Sequence, residues 1–191
     1  TVSSLRSPLM GKQPIVGTGG LSLRDLSLSH RSGIRGLGAS QWLASHHSSL
    51  PQAPNQIVST PDGRLIMSLS HREFWILSPE IPASLEAPAS GALSADVWPL
   101  YCQHSHGWLE LSGEGRAEVM AKLCGVDFCD EVFAPGQVAQ TQVARVSAVV
   151  AHHLRGGERV FSILVDQSLV DYLWMALADA MAEFMDTEPN G

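Results

Sequence analysis

An α+β fold made of two related halves is predicted for this chain of 191 residues. Three observations carry the prediction. The stretch from Trp108 to Phe184 reads as strand, helix, strand, strand, helix, the order of a split βαβ, ferredoxin-like layer. The region from Leu21 to Leu77 gives a weaker version: one strand, a short helix and three strands. Between them, Pro79, Pro82, Pro88 and Pro99 stand among many Ala and Ser, a composition that suits a linker or crossover. The expected organisation is therefore an extended arm over 1–20, a first α+β half over 21–78, a linker over 79–100, a second half over 101–185 and a fraying tail over 186–191. Nothing repeats with a solenoid period.

The arm is rich in Ser, Gly and Pro with little periodicity, so it is either disordered or laid over a neighbour. Leu21, Leu23, Leu26 and Leu28 suggest a strand interrupted near Asp25. The glycines Gly33, Gly36 and Gly38 lead into a helix over 39–46 that points Trp42 and Leu43 inward, and Pro51 and Pro54 close the unit. Strands follow at Gln56–Ser59, Arg64–Leu69 and Glu73–Leu77, with turn chemistry at Pro61-Asp62-Gly63.

In the second half His106–Leu111 is a strand, and Ser112 is placed to cap a helix running to Cys124. Ala117, Met120, Leu123 and Cys124 make that helix's inner face, and Gly125 stops it in the left-handed conformation. Gln140–His152 and Arg159–Val165 read as a hairpin around Arg155-Gly156-Gly157. Asp166 caps a final helix. Its Val170, Leu173, Trp174, Leu177, Met181 and Phe184 are the clearest amphipathic pattern in the chain. Trp42, Trp108 and Trp174 are expected in the core.

Lys and Arg number 12 against 19 Asp and Glu, so the formal charge is 12 − 19 = −7. No basic stripe exists, which argues against nucleic acid or an anionic membrane surface as partner. Charged residues are 16% of the chain, below the roughly 25% of ordinary domains, while apolar residues reach 45%. Such poverty of charge points to surface sheltered in an assembly, with the arm and the linker as candidate contacts. Cys102, Cys124 and Cys129 match no zinc or redox spacing and read as free thiols in a reducing cytoplasm. No apolar run spans a membrane, and no apolar segment of signal-peptide type follows the N-terminal Arg and Lys.

Reactive constellations are scarce. His104 and His106 share one face of a strand and can offer two imidazoles to a metal, but no further ligand is evident. His30, His71 and His46-His47 stand apart, and His152-His153 reads as a surface pair at a strand end, on opposite faces. Gly33, Gly36 and Gly38 beside Arg35 are loop geometry rather than a phosphate cradle. Ser112 within Ser112-Gly113-Glu114-Gly115 lacks the Gly-x-Ser-x-Gly elbow, and Cys102 near His104 reads as a structural thiol. Glu110, Glu114 and Glu118 form the carboxylate string of an exposed helix N-terminus. Catalytic, cofactor-binding and metal-ligating residues are accordingly read as none.

Several words in fixed order carry a resemblance. They are Ser105-His106-Gly107-Trp108-Leu109-Glu110-Leu111-Ser112-Gly113, Leu123-Cys124-Gly125-Val126-Asp127, the run from Pro135 to Arg145, and Asp171-Tyr172-Leu173-Trp174 followed by Leu177 and the run from Ala180 to Phe184. Together they resemble the gamma subunit of heterotetrameric sarcosine oxidase and of N-methylglutamate dehydrogenase. That family is similar to the folate-binding domain of glycine-cleavage aminomethyltransferases, cut short. The resemblance implies a cytoplasmic, non-catalytic subunit packed on alpha, beta and delta partners. FAD, FMN, NAD, tetrahydrofolate and zinc would reside in those partners, in a complex that demethylates sarcosine or a related N-methyl amino acid. A stand-alone folate-binding protein is the alternative.

Overall fold

A computed structural model of the chain describes residues 6–10, 12–82 and 93–185. Its strands are β1 (Ile15–Val16), β2 (Ser22–Asp25), β3 (Ser29–Arg35), β4 (Gln56–Ser59), β5 (Leu65–Ser70), β6 (Glu73–Pro82) and β7 (Trp98–Leu100), then β8 (His106–Ser112), β9 (Val138–Val143), β10 (Val146–Arg155) and β11 (Glu158–Asp166). The helices are α1 (Ala39–His46), α2 (Cys102–Ser105), α3 (Arg116–Ala121) and α4 (Val170–Met181). Two antiparallel sheets result, a six-stranded one in the order β1-β2-β8-β11-β10-β9 and a five-stranded one in the order β4-β5-β6-β3-β7.

Side-chain alternation stacks these elements in four layers. On β5 and β6, Leu65, Met67, Trp75 and Leu77 face Trp108, Ala151 and Leu164 of the other sheet. Their neighbours Ile66, Phe74 and Ile76 turn the opposite way, onto Ala39 and Leu43 of α1. Leu109, Leu111, Val150, Phe161 and Ile163 face α3 and α4. The 3.6-residue pattern of α4 thus meets the period-2 pattern of the six-stranded sheet, burying Leu173, Trp174, Leu177 and Met181. The order is helix, sheet, sheet, helix.

The sheets do not divide the chain at a single point. The strand expected from Leu21 pairs not with the first half but with β8, Leu23 opposite Leu111 and Arg24 opposite Glu110. The chain then crosses within Leu26–Leu28 to begin β3 in the other sheet, a strand the sequence reading took for loop. Trp98–Leu100, inside the proline-rich stretch, adds an edge strand to β3. Part of the N-terminal arm lies on this chain's own core, with Leu9 only 2% exposed and β1 paired to β2. The tail over 186–191 lies outside the described residues.

Arg31 holds the crossover. It is 2% exposed, and the partners that the described residues offer its guanidinium are carbonyls rather than carboxylates. It donates to the carbonyls of Leu26, Ser27 and Ser29 at 3.5, 3.2 and 3.3 Å, and to those of Gln103 and His106 at 3.2 and 2.6 Å. Burial lowers its pKa to about 10, with the charges of Cys102 and Asp25 working in the other direction. The amide of Gln103 completes the junction, accepting from the Arg31 N–H at 2.8 Å and donating to the Ser27 carbonyl at 3.2 Å.

Other local expectations need correction. Ser112 is the buried last residue of β8, and α3 starts after Gly115 with no side-chain cap. That helix ends at Ala121, and Gly125 is not in the left-handed region. Trp108 and Trp174 are buried, whereas Trp42 is half-buried and stacks on His46 at 4.0 Å. The long strand expected over Gln140–His152 is two strands, reversing through Ala144 and Arg145 with φ of 50° and 69°. The turns at Gly63 and at Gly156-Gly157 stand where turn chemistry placed them. Asp166 accepts from the Ser168 N–H at 2.9 Å, capping the 3₁₀ turn that opens α4.

Two outcomes are expected. Arg31→Met leaves buried carbonyls unsatisfied and should cost about 3 kcal/mol or more of unfolding free energy in urea titrations. Replacing Ala144-Arg145 by Asn-Gly, residues at ease with positive φ, should raise stability by about 1 kcal/mol in the same assay.

Candidate functional site

Two buried polar networks thread the six-stranded sheet. On the face turned to the other sheet, Glu110 is 1% exposed and pairs with Arg24 of β2 and with Arg155 of β10, the latter at 2.7 Å. Arg155 also reaches Glu80 of β6 at 2.5 Å, tying the sheets together. Glu110 is therefore no member of an exposed carboxylate string. Beside it the Trp108 Nε1–H donates to Ser162 Oγ at 3.0 Å, and Ser162 lies 2.8 Å from His153 Nε2. The Leu154 carbonyl, 3.3 Å from His153 Nδ1, can only accept, so neutral His153 carries its proton on Nδ1 and its Nε2 accepts from the Ser162 hydroxyl.

The second network faces the helices. His152 is fully buried, its Nδ1 donates to the Phe133 carbonyl at 2.6 Å, and its Nε2 stands without a hydrogen-bond partner 3.7 Å from Asp130. Asp130 is clamped by Arg116 and by Arg159, the latter at 2.6 Å. Burial pushes the Asp130 carboxyl up, but the two guanidiniums outweigh it and hold the pKa below the ordinary value. Phe128, Phe133 and Phe161 close around this group, with the Arg116 guanidinium 5.3 Å from the Phe161 ring centre. The expectation of a surface His152-His153 pair is thus overturned: both rings are core. The burial comes from packing against other strands and loops, which is why local reading missed it.

These arrangements fix loops and strands; they offer little to a reaction. A carboxylate held by two cations is a weak base. The Cys102 thiol, buried beneath Arg31, has its pKa pushed up to about 12, and the imidazole of His104 in the same helical turn is exposed. His104 and His106 do not share a strand face, since His104 lies in α2 and His106 opens β8. Gly33 lies in β3, where a Cβ would meet Cys102 Sγ at 2.7 Å, and Gly36 packs on the Asp96 carbonyl. Arg35 pairs with Glu73. Among the described residues no three His, Cys, Asp or Glu side chains could hold a metal. No helix of the described residues is long and apolar enough to cross a membrane.

The surface of the described residues carries two sizeable depressions. One of about 810 Å³ runs beside β9 and β10, lined by Gln140, Gln142, Arg145 and Ser147. The other, about 540 Å³, lies under the N-terminal segment against Arg24, Leu26 and Leu28.

The layered pair of antiparallel sheets is the architecture of an aminomethyltransferase-like fold. Glycine cleavage system aminomethyltransferase T from Bartonella henselae matches 81% of this chain with 44% of its own, at a TM-score of 0.59 and 17% identity. Residues 80–183, more than half of the chain, match the sarcosine oxidase gamma subunit family, and the chain belongs to that family. Sarcosine oxidase subunit gamma of Corynebacterium sp. (strain U-96) is 26% identical over 179 residues, covering 91% of this chain and 85% of the relative. The corresponding subunit of Corynebacterium sp. (strain P-1) is 27% identical over 171 residues, 87% of this chain and 82% of the relative. A chain of the heterotetrameric sarcosine oxidase from Corynebacterium sp. U-96, solved with pyrrole 2-carboxylate, matches 97% of this chain with 98% of its own, at a TM-score of 0.75 and 24% identity.

Burial lowers the pKa of His152 and of His153 below the ordinary 6.5. Below that pH the unfolded chain binds protons the folded chain refuses, so stability is full above it and falls on acidification. The expected slope approaches about 1.4 kcal/mol per pH unit per histidine, read by urea unfolding over about pH 5 to 7. The double variant His152→Gln/His153→Gln should flatten it, leaving the contributions of His47 and His106, whose pKa values burial also lowers.

Proposed function

We propose that this chain is the gamma subunit of a heterotetrameric flavoenzyme of sarcosine oxidase type. The complex oxidatively demethylates sarcosine or a related N-methyl amino acid in the cytoplasm and passes the one-carbon unit to tetrahydrofolate. In this reading alpha, beta and delta subunits carry FAD, FMN, NAD, tetrahydrofolate and zinc, while this chain binds none of them and performs no step. The observation that carries the proposal is the near full-length alignment with sarcosine oxidase subunit gamma, 91% of this chain against 85% of the relative. The two buried polar networks support it, because they tie strands and loops of this chain together. Within the fold, β8, α3, β10, β11 and α4 form a split βαβ unit, with β2 beside β8 as its fourth strand.

A second reading, a stand-alone folate-binding protein, draws support from the aminomethyltransferase-like fold. Against it, this chain matches only 44% of that enzyme. A gamma-type role in N-methylglutamate dehydrogenase differs in the amine oxidised and in the electron acceptor.

Co-expression with the sister subunits tests the proposal. The chain should co-purify in a flavin-bearing complex that oxidises sarcosine faster than N-methylglutamate. The reverse preference would shift the assignment to the dehydrogenase. Micromolar tetrahydrofolate binding by the isolated chain would overturn the scaffold role.

A further inference from the structure

The four edges of the two sheets are not alike. β1 has two residues and β7 three, with Pro99 at its centre, so neither offers a run of free backbone. β4 is partly covered by this chain, its Ile57 N–H donating to the Gly136 carbonyl at 2.9 Å. β9 differs. Its six residues contain no charge and no proline, and its register with β10 runs without a bulge. Charge, proline and bulge are the devices that keep an edge from pairing, and β9 lacks all of them.

The hairpin fixes which groups of β9 stand free. Val143 pairs with Val146 across Ala144 and Arg145, both at positive φ, so this closing pair is hydrogen-bonded. Counting back by twos, Thr141 and Ala139 bond to β10, while Gln140 and Gln142 turn their N–H and C=O groups outward. The Val138 N–H has the same outward parity and donates to the Asn55 carbonyl at 2.9 Å. No described residue answers the outward groups of Gln140 and Gln142. The Gln140 side-chain amide is engaged elsewhere, donating to Asn55 Oδ1 and to the Leu69 carbonyl, each at 2.8 Å.

The 810 Å³ depression adjoins this edge, with His106, Val149 and Leu164 among its lining and no carboxylate. Arg145, exposed at the tip of the hairpin, lines it too and pairs with no carboxylate among the described residues. Free N–H and C=O groups recurring along an extended edge are matched by another extended backbone, not by a helix or a small ligand. A second copy set β9 against β9 would bring no partner for Arg145, because residues 134–147 contain no Asp or Glu.

We infer that an extended segment of a sister subunit adds to the six-stranded sheet at β9, pairing with Gln140 and Gln142 and setting a carboxylate against Arg145. Asn55 already occupies the edge at Val138, so the added strand is short. The inference rests on the gamma-subunit reading and names a surface through which it operates.

Amide hydrogen exchange of the purified full chain, alone and bound to the tagged remainder of the complex, tests the pairing directly. Exchange at Gln140 and Gln142 should be fast in the free chain and slow by about a hundredfold or more on binding. Gln142→Pro, which removes an outward N–H and no bond to β10, should weaken binding by about tenfold while melting near the parent's temperature. Arg145→Asn, at ease with positive φ, should weaken binding and lessen its dependence on salt. If Gln142→Pro melts early, exchange in the parent and binding by Arg145→Asn decide. Unslowed exchange at the two amides in the complex, or parental binding by both variants, overturns the inference and leaves the gamma-subunit role intact. Protection of the same amides by self-association of the isolated chain also overturns it. A parent chain that does not bind the remainder at all removes the gamma-subunit reading and the inference with it.

Discussion

The guanidinium of Arg31, closed in by backbone carbonyls, is the interaction on which the layered architecture depends. A chain that leaves one sheet and enters the next within Leu26–Leu28 turns several carbonyls inward, with no strand ladder to donate to them. Water cannot satisfy them there, and each would cost free energy comparable to a lost hydrogen bond. The two terminal nitrogens of one planar guanidinium answer the carbonyls of the crossover, of β3 and of the turn before β8. A lysine has too few donors, and an apolar residue has none. The cost of burying the cation appears in its lowered pKa, and the surrounding carbonyl dipoles, with Asp25 nearby, offset it.

That junction makes the two sheets interdependent. β2 belongs to the six-stranded sheet by pairing and to the five-stranded sheet by connection, since β3 follows at once. Glu110 repeats the arrangement at the next residue pair, drawing Arg24 and Arg155 to one carboxylate, while Arg155 goes on to Glu80. Charges that a surface could have displayed are turned inward. With only 16% charged residues to begin with, the outside keeps apolar side chains such as Leu37, Trp98 and Tyr101 exposed.

How much of this was legible depended on whether the signal was local. α4, β5 and β6 were readable because their burial follows one period each, and the turns at Gly63 and Gly156-Gly157 because glycine tolerates their backbone. β3 was not, since its buried residues include His30, Arg31 and Gly33, which carry no apolar alternation. The reversal at Ala144-Arg145 has no turn residue to betray it. His152, His153 and Glu110 read as surface because polar residues usually are, and the groups that satisfy them lie on other strands or loops. Family words succeeded where physics from sequence stopped, and the structure gives the reason. Ser105–Gly113 spans β8, at the heart of the six-stranded sheet, and Pro135–Arg145 runs into β9 at its edge. Those words record a packing solution, so they identify the fold and family while naming no catalytic group.

The same distinction bears on function. Under the proposed scaffold role what matters is the shape the chain presents, and buried charge networks lock its strands to each other. Such networks add little net stability compared with apolar packing, but they penalise every alternative register in which a charge would be left alone. A subunit that must offer one fixed surface to several partners gains from that penalty, whereas an enzyme would direct some of its buried polar groups toward a substrate. In this chain Glu110, His153 and the Nδ1 of His152 are engaged with backbone carbonyls or with side chains of the same networks.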